Sequence, residues 1–279
     1  MPNKPVKYYF GRFNLIATYQ NKKEFLLRGL QTKKYIPHRN HLWGFVEITE
    51  IKTNQGLFIH GYLVKYKAES GEEVVLPEKH KLGEVRVPNT VEAKSRFFLH
   101  IESGLIAYHP VGGQIENEMF SERFVEIFHE ALDKMFVNAE IQAIEDRFQV
   151  LEIIKKFRSI SKVEVYLHPS NPNLSPLWKN VDARIKKVGA NNYTEVYEVT
   201  KEGSTLDVAD DEDIRGKIAM AEDGYGEADV TGDMDGEVRR ISTKDNPITA
   251  QAPGDEETPE SVLENLKDPL QRIFDRFIK

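Results

Sequence analysis

Residues 121–199 read SERFVEIFHEALDKMFVNAEIQAIEDRFQVLEIIKKFRSISKVEVYLHPSNPNLSPLWKNVDARIKKVGANNYTEVYEV. Ser121 is placed as an N-cap, and Phe124, Phe128, Ala131, Leu132 and Met135 follow it at helical spacing. Glu122, Arg123, Glu126, Glu130 and Asp133 take the opposite face. Ala139 to Ile144 reads as a strand. Asp146 is placed to cap a second helix that buries Val150, Leu151, Ile154 and Phe157 and leaves Lys155, Lys156 and Arg158 in water. Val163, Val165 and Leu167 then alternate with Glu164, Tyr166 and His168, the period of a strand with one covered face. A third helix starts near Ser175, with Pro176 in its first turn and an apolar stripe of Leu174, Leu177, Trp178, Val181, Ile185 and Val188; Gly189 suits its C-cap. Tyr193 to Val199 is the next strand. Strand, helical crossover and strand fit a parallel pair with a right-handed crossover. An antiparallel sheet with helices on one face fits the same pattern equally. The expected class is α+β (mixed α/β): a mixed or mainly antiparallel sheet with helices on one face, plus a C-terminal amphipathic helix.

Upstream, Tyr8 to Ala17 reads as an aromatic strand and Lys22 to Leu30 as a short helix with Phe25, Leu26 and Leu30 inward. Gln31 to His41 is expected to be a basic loop. Leu42–Lys52 and Leu57–Lys67 form a hairpin around Asn54-Gln55-Gly56, and Phe97–Ile101 and Leu105–His109 form a second around Ser103-Gly104. Leu99, Ile101, Ile106 and Tyr108 are then expected on one core face. Residues 69–95 are polar and are expected to be loop and edge strand. Downstream, Asp210 to Asp213 opens a helix running through Ile214, Ile218 and Met220. Gly224–Thr231 and Glu237–Thr243 read as a third hairpin. Residues 247–257 have the composition of a mobile linker. Thr258-Pro259 starts a terminal helix striped with Val262, Leu263, Leu266, Leu270, Ile273, Phe274 and Phe277, kinked by Pro269. That stripe either docks on its own domain or pairs with another copy, with pairing slightly preferred. The expected organisation is a basic β-rich part (1–120), an α/β core (121–200), an acidic helix plus hairpin (201–246), the linker (247–257) and the C-terminal helix (258–279).

The 279 residues contain no cysteine, which excludes disulfides, thiolate metal sites and thiol catalysis. With no apolar leader and no apolar run long enough to span a bilayer, a cytoplasmic location is expected. The net charge of −7 conceals a gradient. Residues 1–68 carry twelve Lys/Arg against three Glu, and residues 201–279 carry ten Lys/Arg against twenty-one Asp/Glu. Such a chain can attract a polyanion with one surface and repel it with another. No P-loop, dinucleotide fingerprint, nucleophile elbow or zincin helix is present. Asp233-Met234-Asp235-Gly236 resembles a calcium loop, but that register puts Thr231 and Ser242 at the positions needing carboxylates, so a hairpin turn explains it better. His38 with His41, and His100 with His109, are candidate metal pairs, but no carboxylate cluster lies beside them in sequence, and no metal, cofactor or catalytic residue is expected. The signal that remains is Lys22, Lys23, Arg28, Lys33, Lys34 and Arg39, interleaved with Phe25 and Tyr35. Cations gathered on one surface suffice for phosphate contact, and each neutralised phosphate releases a counterion. Lys179, Arg184, Lys186 and Lys187 on the third helix of the 121–199 stretch form a second, weaker strip.

The order of elements carries a resemblance. A basic N-terminal segment leads to a hairpin ending near Tyr66, then to RFFLHIESGLIAYHP, to VEVYLHPSNPNLSPLWKNVDARIKKV, and finally to PESVLENLKDPLQRIFDRFIK. This layout resembles the RexA-like phage-exclusion sensors and related bacterial antiphage-defence proteins. The resemblance carries no shared site motif. It implies a non-enzymatic, cytosolic homodimer that binds DNA with little sequence preference and signals to a separate membrane effector. The acidic 201–260 region departs from that pattern. Two other readings stay open: a protein–protein adaptor acting through the C-terminal helix, and a metal-dependent nuclease built on His38 and His41.

Overall fold

The run VKYYFGRFNLI forms the strand on which the fold is built, β1 (Val6–Ile16). Its near-continuous apolar character marks a strand covered on both faces. Tyr8 and Phe10 enter one core while Phe13 and Leu15, on the opposite side of the pleat, enter another. In the computed structural model every residue is described except 1–3, 17–21, 133–137, 147–148, 171–174, 202 and 277–279.

The larger sheet has eight strands. In chain order these are β1, β2 (Ile36–His38), β3 (His41–Thr53), β4 (Gly56–Leu76), β5 (Lys81–His100), β6 (Leu105–Tyr108), β7 (Asn138–Ala143) and β12 (Thr249–Ala252). Their spatial order is β12-β1-β6-β5-β4-β3-β2, with β7 pairing β1 beyond β12, and every pairing is antiparallel. Leu99, Ile101, Ile106 and Tyr108 share one core, as their alternation predicts. A second antiparallel sheet runs in the order β11-β10-β8-β9, formed by β8 (Ser159–Leu167), β9 (Tyr193–Glu198), β10 (Gly226–Met234) and β11 (Glu237–Ser242). The fold is α+β and mainly antiparallel. The crossover pattern within 121–199 therefore resolves to the antiparallel alternative: Leu167 pairs with Tyr193, so the chain returns to the end of β8 that it left.

Two helices, α1 (Lys22–Leu30) and α2 (Asn117–Ala131), cover one face of the larger sheet. Leu26, Leu30, Phe124 and Phe128 meet Phe13, Phe45 and Phe97 there. Gly29 lets the helices touch, since a Cβ at that position would lie 2.3 Å from the Phe128 ring. The opposite face shares its core with the second sheet and with α3 (Gln149–Ile154), α4 (Lys179–Lys187), α5 (Glu212–Glu222), α6 (Pro259–Asn265) and α7 (Lys267–Phe274).

Several expectations are corrected. Ser121 does not cap a helix; α2 starts a turn earlier at Asn117, and the Ser121 hydroxyl donates to the Asn117 carbonyl at 3.3 Å. The third helix of the 121–199 stretch is shorter than its stripe, and Leu177 and Val188 stay exposed. The basic loop contains the short edge strand β2. Of the loop and edge strand expected over residues 69–95, the strand part holds and the loop part does not: they form the outer halves of β4 and β5, paired from Tyr66–Val91 to Leu76–Lys81 and turning at Pro77–Lys79. Residues 247–257 are not a free linker: β12 pairs with β1, and the buried Arg96 guanidinium donates to the carbonyls of Gly254, Asp255 and Glu257 at 3.3, 3.0 and 3.1 Å. The composition was right for exposed coil, but backbone pairing and one buried cation hold the segment in place. The terminal stripe docks on its own domain, with Val262, Leu263, Leu266, Leu270 and Ile273 buried in the inter-sheet core. The helix breaks at Leu266, which leaves Pro269 in the first turn of α7, where no amide donor is required. Asp133, Met135, Leu174 and Phe277 lie outside the described residues.

Asp223, at the end of α5, joins the layers. Its carboxylate accepts from Trp178 Nε1 at 2.8 Å and from Arg276 Nη1 at 3.3 Å, while its carbonyl accepts from Arg12 Nε at 2.8 Å. Arg276 also donates to the Glu145 carbonyl at 2.7 Å, and Arg12 to the Ser103 carbonyl at 2.8 Å. Glu145 itself is fully buried and accepts from the Asn246 amide at 3.0 Å. Burial, reinforced by the neighbouring Glu222 charge, pushes its carboxyl up to about 8. A carboxyl raised on folding releases its proton later than in the unfolded chain, so this group's contribution to stability is fully present below about pH 4.5 and is lost as the pH climbs towards 8. The limiting slope for one group is about 1.4 kcal/mol per pH unit. Glu145→Gln should flatten the decline in unfolding free energy between those pH values, measured by denaturant titration; an unchanged slope would refute the assignment.

Candidate nucleic-acid interface

The six cations singled out in the sequence lie on three consecutive elements around α2. Lys22 and Lys23 are in the first turn of α1 and Arg28 in its last, Lys33 and Lys34 sit in the following connection, and Arg39 sits in the β2–β3 turn. Helical periodicity turns Leu26 and Leu30 inward and leaves the other face to water. There Lys23 and Arg28 line one shallow depression with Glu24, Leu27 and Gln31. Lys23, Arg28, Lys33, Lys34 and Arg39 are all exposed; the Lys22 side chain lies outside the described atoms. Arg39 occupies the left-handed region at φ 54°, as expected for a tight two-residue turn between His38 and His41. Among the described residues no ion pair involves Lys23, Arg28, Lys33 or Arg39. Lys34 differs: its ammonium donates to the Glu130 carbonyl at 2.8 Å, near the C-terminal end of α2.

An aromatic element that sequence reasoning only half identified lies beside these cations. Tyr35 is 42 % exposed, and its ring lies against Gly44 of β3, where a Cβ would fall 2.2 Å from it. Its edge meets Tyr66 of β4 with ring centroids 5.4 Å apart. The ring is thus fixed on a rigid strand while part of it faces solvent. The signal for this in the chain was Gly44 inside an otherwise bulky strand, a mark of close approach.

The acidic side chains nearest this corner are partly engaged. Arg123 of α2 pairs with Glu122 at 3.1 Å and with Glu126, and donates to His38 Nδ1 at 3.0 Å. His41 pairs with Glu92 at 2.7 Å. His38 and His41 therefore face different partners, and among the described residues no group of three His, Asp or Glu is placed to hold a metal ion. His100 and His109 do not face each other either: His100 contacts Ser103 and the Gln55 carbonyl, and His109 the Lys7 carbonyl. On α4, Arg184 meets Asp213 at 3.4 Å and Lys186 meets the buried Asp182 at 2.7 Å. Two cations of that second strip are thus drawn into acidic contacts, on a helix whose Val181 and Ile185 pack in the inter-sheet core.

One further cleft, of about 430 Å³, lies between α2, β7 and β10. Glu118, Glu122, Glu140 and Glu227 line it with Lys244, which suits it poorly to an anion. Burial raises the Glu140 carboxyl, opposed by the buried His168 imidazole with which it pairs. His60 is held down to about 4, by burial first and the Arg96 charge second, and is a neutral core residue.

Over residues 6–268 the chain matches the sequence model of a protein family described as a domain of unknown function, DUF4747. No curated protein matches it. Among the described residues no helix is long and apolar enough to cross a membrane.

The contrast between Lys33 and Lys34 can be measured. A cation at a helix C-terminus contributes about 0.3–1 kcal/mol. Lys34→Ala should therefore lower the unfolding free energy by about 0.5 kcal/mol in low salt, whereas Lys33→Ala should leave it unchanged. Equal effects of the two substitutions would show that the Lys34 contact to α2 contributes nothing.

Proposed function

The chain belongs to the DUF4747 family, and from the arrangement of its surface we propose that it is a non-enzymatic nucleic-acid-binding protein. It contacts the phosphate backbone of DNA through Lys22, Lys23, Arg28, Lys33, Lys34 and Arg39, with little sequence preference. The observation that carries this reading is the run of exposed cations on α1, the 31–35 connection and the β2–β3 turn, four of which have no acidic partner among the described residues. Between Lys22 and Arg39 there are six Lys/Arg against Glu24 alone. Beside them Tyr35 offers a fixed ring face on which an unpaired base can stack, a contact that tolerates any sequence. The acid-bearing elements α5, β10, β11, α6 and α7 lie in the second sheet or pack in the inter-sheet core on the other face of the larger sheet, away from this corner. The layout shared with the RexA-like sensors supports placing this binding in a bacterial antiphage system, with a separate membrane protein as effector. Docking of the terminal stripe in the protein's own core weighs against an adaptor that works through that helix.

Binding is tested by fluorescence anisotropy on two duplexes of unrelated sequence. Six phosphate contacts predict a fall of about three orders of magnitude in affinity between about 50 and 200 mM salt. Lys23→Glu, Lys33→Glu and Arg39→Glu combined should weaken both duplexes equally and flatten the salt dependence. Absence of binding at micromolar protein in low salt, or loss confined to one sequence, would overturn the proposal.

A further inference from the structure

Tyr35 stands on the face of the larger sheet that α1 and α2 do not cover. Trp43 and Phe45 of β3 enter the α1–α2 core, so Gly44 between them belongs to the opposite face. The Tyr35 ring lies against Gly44 there. The register adds its neighbours: Gly44 is paired with Val64, Leu42 with Tyr66, and Tyr66 with Val91. The inter-sheet core covers this face farther along, at Ile51, Phe58 and Phe98, but includes none of Tyr35, Leu42, Val64, Tyr66 or Val91. Tyr35 is 42 % exposed and Val91 56 %, while Leu42 and Tyr66 are half-buried.

Cations border this aromatic end of the sheet. Lys33 precedes Tyr35 by two residues, which keeps their Cα atoms within about 7 Å, and Arg39 follows in the β2–β3 turn. Both are exposed, and neither enters an ion pair among the described residues. Lys94 shares the face through its pairing with Val64 and meets Asp255 at 3.4 Å. Glu92, the extra residue where β5 bulges beside Tyr66, is held by Lys67 at 2.6 Å and His41 at 2.7 Å. The Tyr35 ring is meanwhile fixed by Gly44 and by the edge-on Tyr66 ring, at an interplanar angle of 85°. A ring already held in place loses little freedom when something stacks on it.

We propose that this corner selects single-stranded DNA over the duplex, with an unpaired base against Tyr35 and the phosphates on either side of that base at Lys33 and Arg39; this rests on the phosphate-binding role of the same corner and narrows its ligand to one form. Cations alone would choose the other form. A duplex carries one charge per about 1.7 Å of its axis and a single strand about half as many, so contact with phosphates by itself favours the duplex. An aromatic ring reverses the order, because the flat face of a base is open to it only when the base is out of the helical stack. Leu42 and Val91 extend the apolar surface on which that base would rest. Tyr35 is thus the residue that sets specificity, and Gly44 and Tyr66 position it.

Anisotropy of the full chain with three labelled probes tests this: an unstructured DNA strand, a duplex of the same length, and the same strand with every base removed. Wild type should bind the strand about ten-fold more tightly than either the duplex or the abasic strand. Tyr35→Ala should remove both differences and keep the duplex affinity, which also shows that the variant is folded. Tyr35→Phe, which retains the ring, should behave as wild type. A duplex bound as tightly as the strand, an abasic strand bound as tightly as one with bases, or strand binding indifferent to Tyr35→Ala would each overturn the proposal and leave phosphate contact standing. So would a second copy or another protein seated on this face, since strand binding would then not depend on the ring. Failure of all three probes to bind would remove the nucleic-acid reading together with it.

Discussion

Everything on the inter-sheet side of the molecule depends on one buried carboxylate. Asp223 holds Trp178 from the approach to α4 and Arg276 from the C-terminal end, while its own carbonyl holds Arg12 from the centre of the larger sheet. Taking a carboxylate and two guanidinium groups out of water costs several kcal/mol per ion. The arrangement persists because the charges satisfy one another and the surrounding carbonyls. Its consequence is geometric. Two antiparallel sheets with no strand in common are locked at a defined separation, and the C-terminal helices have a charged anchor as well as an apolar stripe.

That lock also sorts the charges of the chain. The larger sheet has the α1–α2 layer on one face and the second sheet with the acidic third of the chain on the other. A protein with a net charge of −7 can therefore present a locally basic corner, because a sheet and two cores lie between the corner and the carboxylates that dominate its composition. Surface potential near a ligand follows the charges within about a Debye length, not the total. The acids closest to the corner, on α2, are partly drawn off by Arg123.

Distant partners decide the structure of two segments whose local composition suggests coil. Residues 247–257 look like solvated coil because their neighbours in sequence offer no pairing, but β1 and Arg96 do so from more than 150 positions away. Residues 69–95 look like loop because acids and prolines interrupt the apolar alternation, but continuation of a central hairpin carries the strands outward. In both places the backbone found its hydrogen bonds at a distance that no sequence window covers.

The sequence by itself determined the element types in its periodic stretches. The bounds of α1, the hairpins at 54–56 and 103–104, the helix entered at Asp211 and the terminal helix entered at Thr258 all follow from periodicity, turn residues and caps that act within a few positions. It also determined which cations are candidates, since α1 turns its Leu26 face inward and leaves Lys23 and Arg28 out. Tertiary structure alone decided that β8 and β9 are antiparallel, that the terminal stripe is covered by its own domain, and that Tyr35 is held against Gly44. Strand direction, the choice of packing partner and the fixing of a side chain depend on contacts between residues far apart in the chain, and periodicity records which face is apolar without recording what covers it.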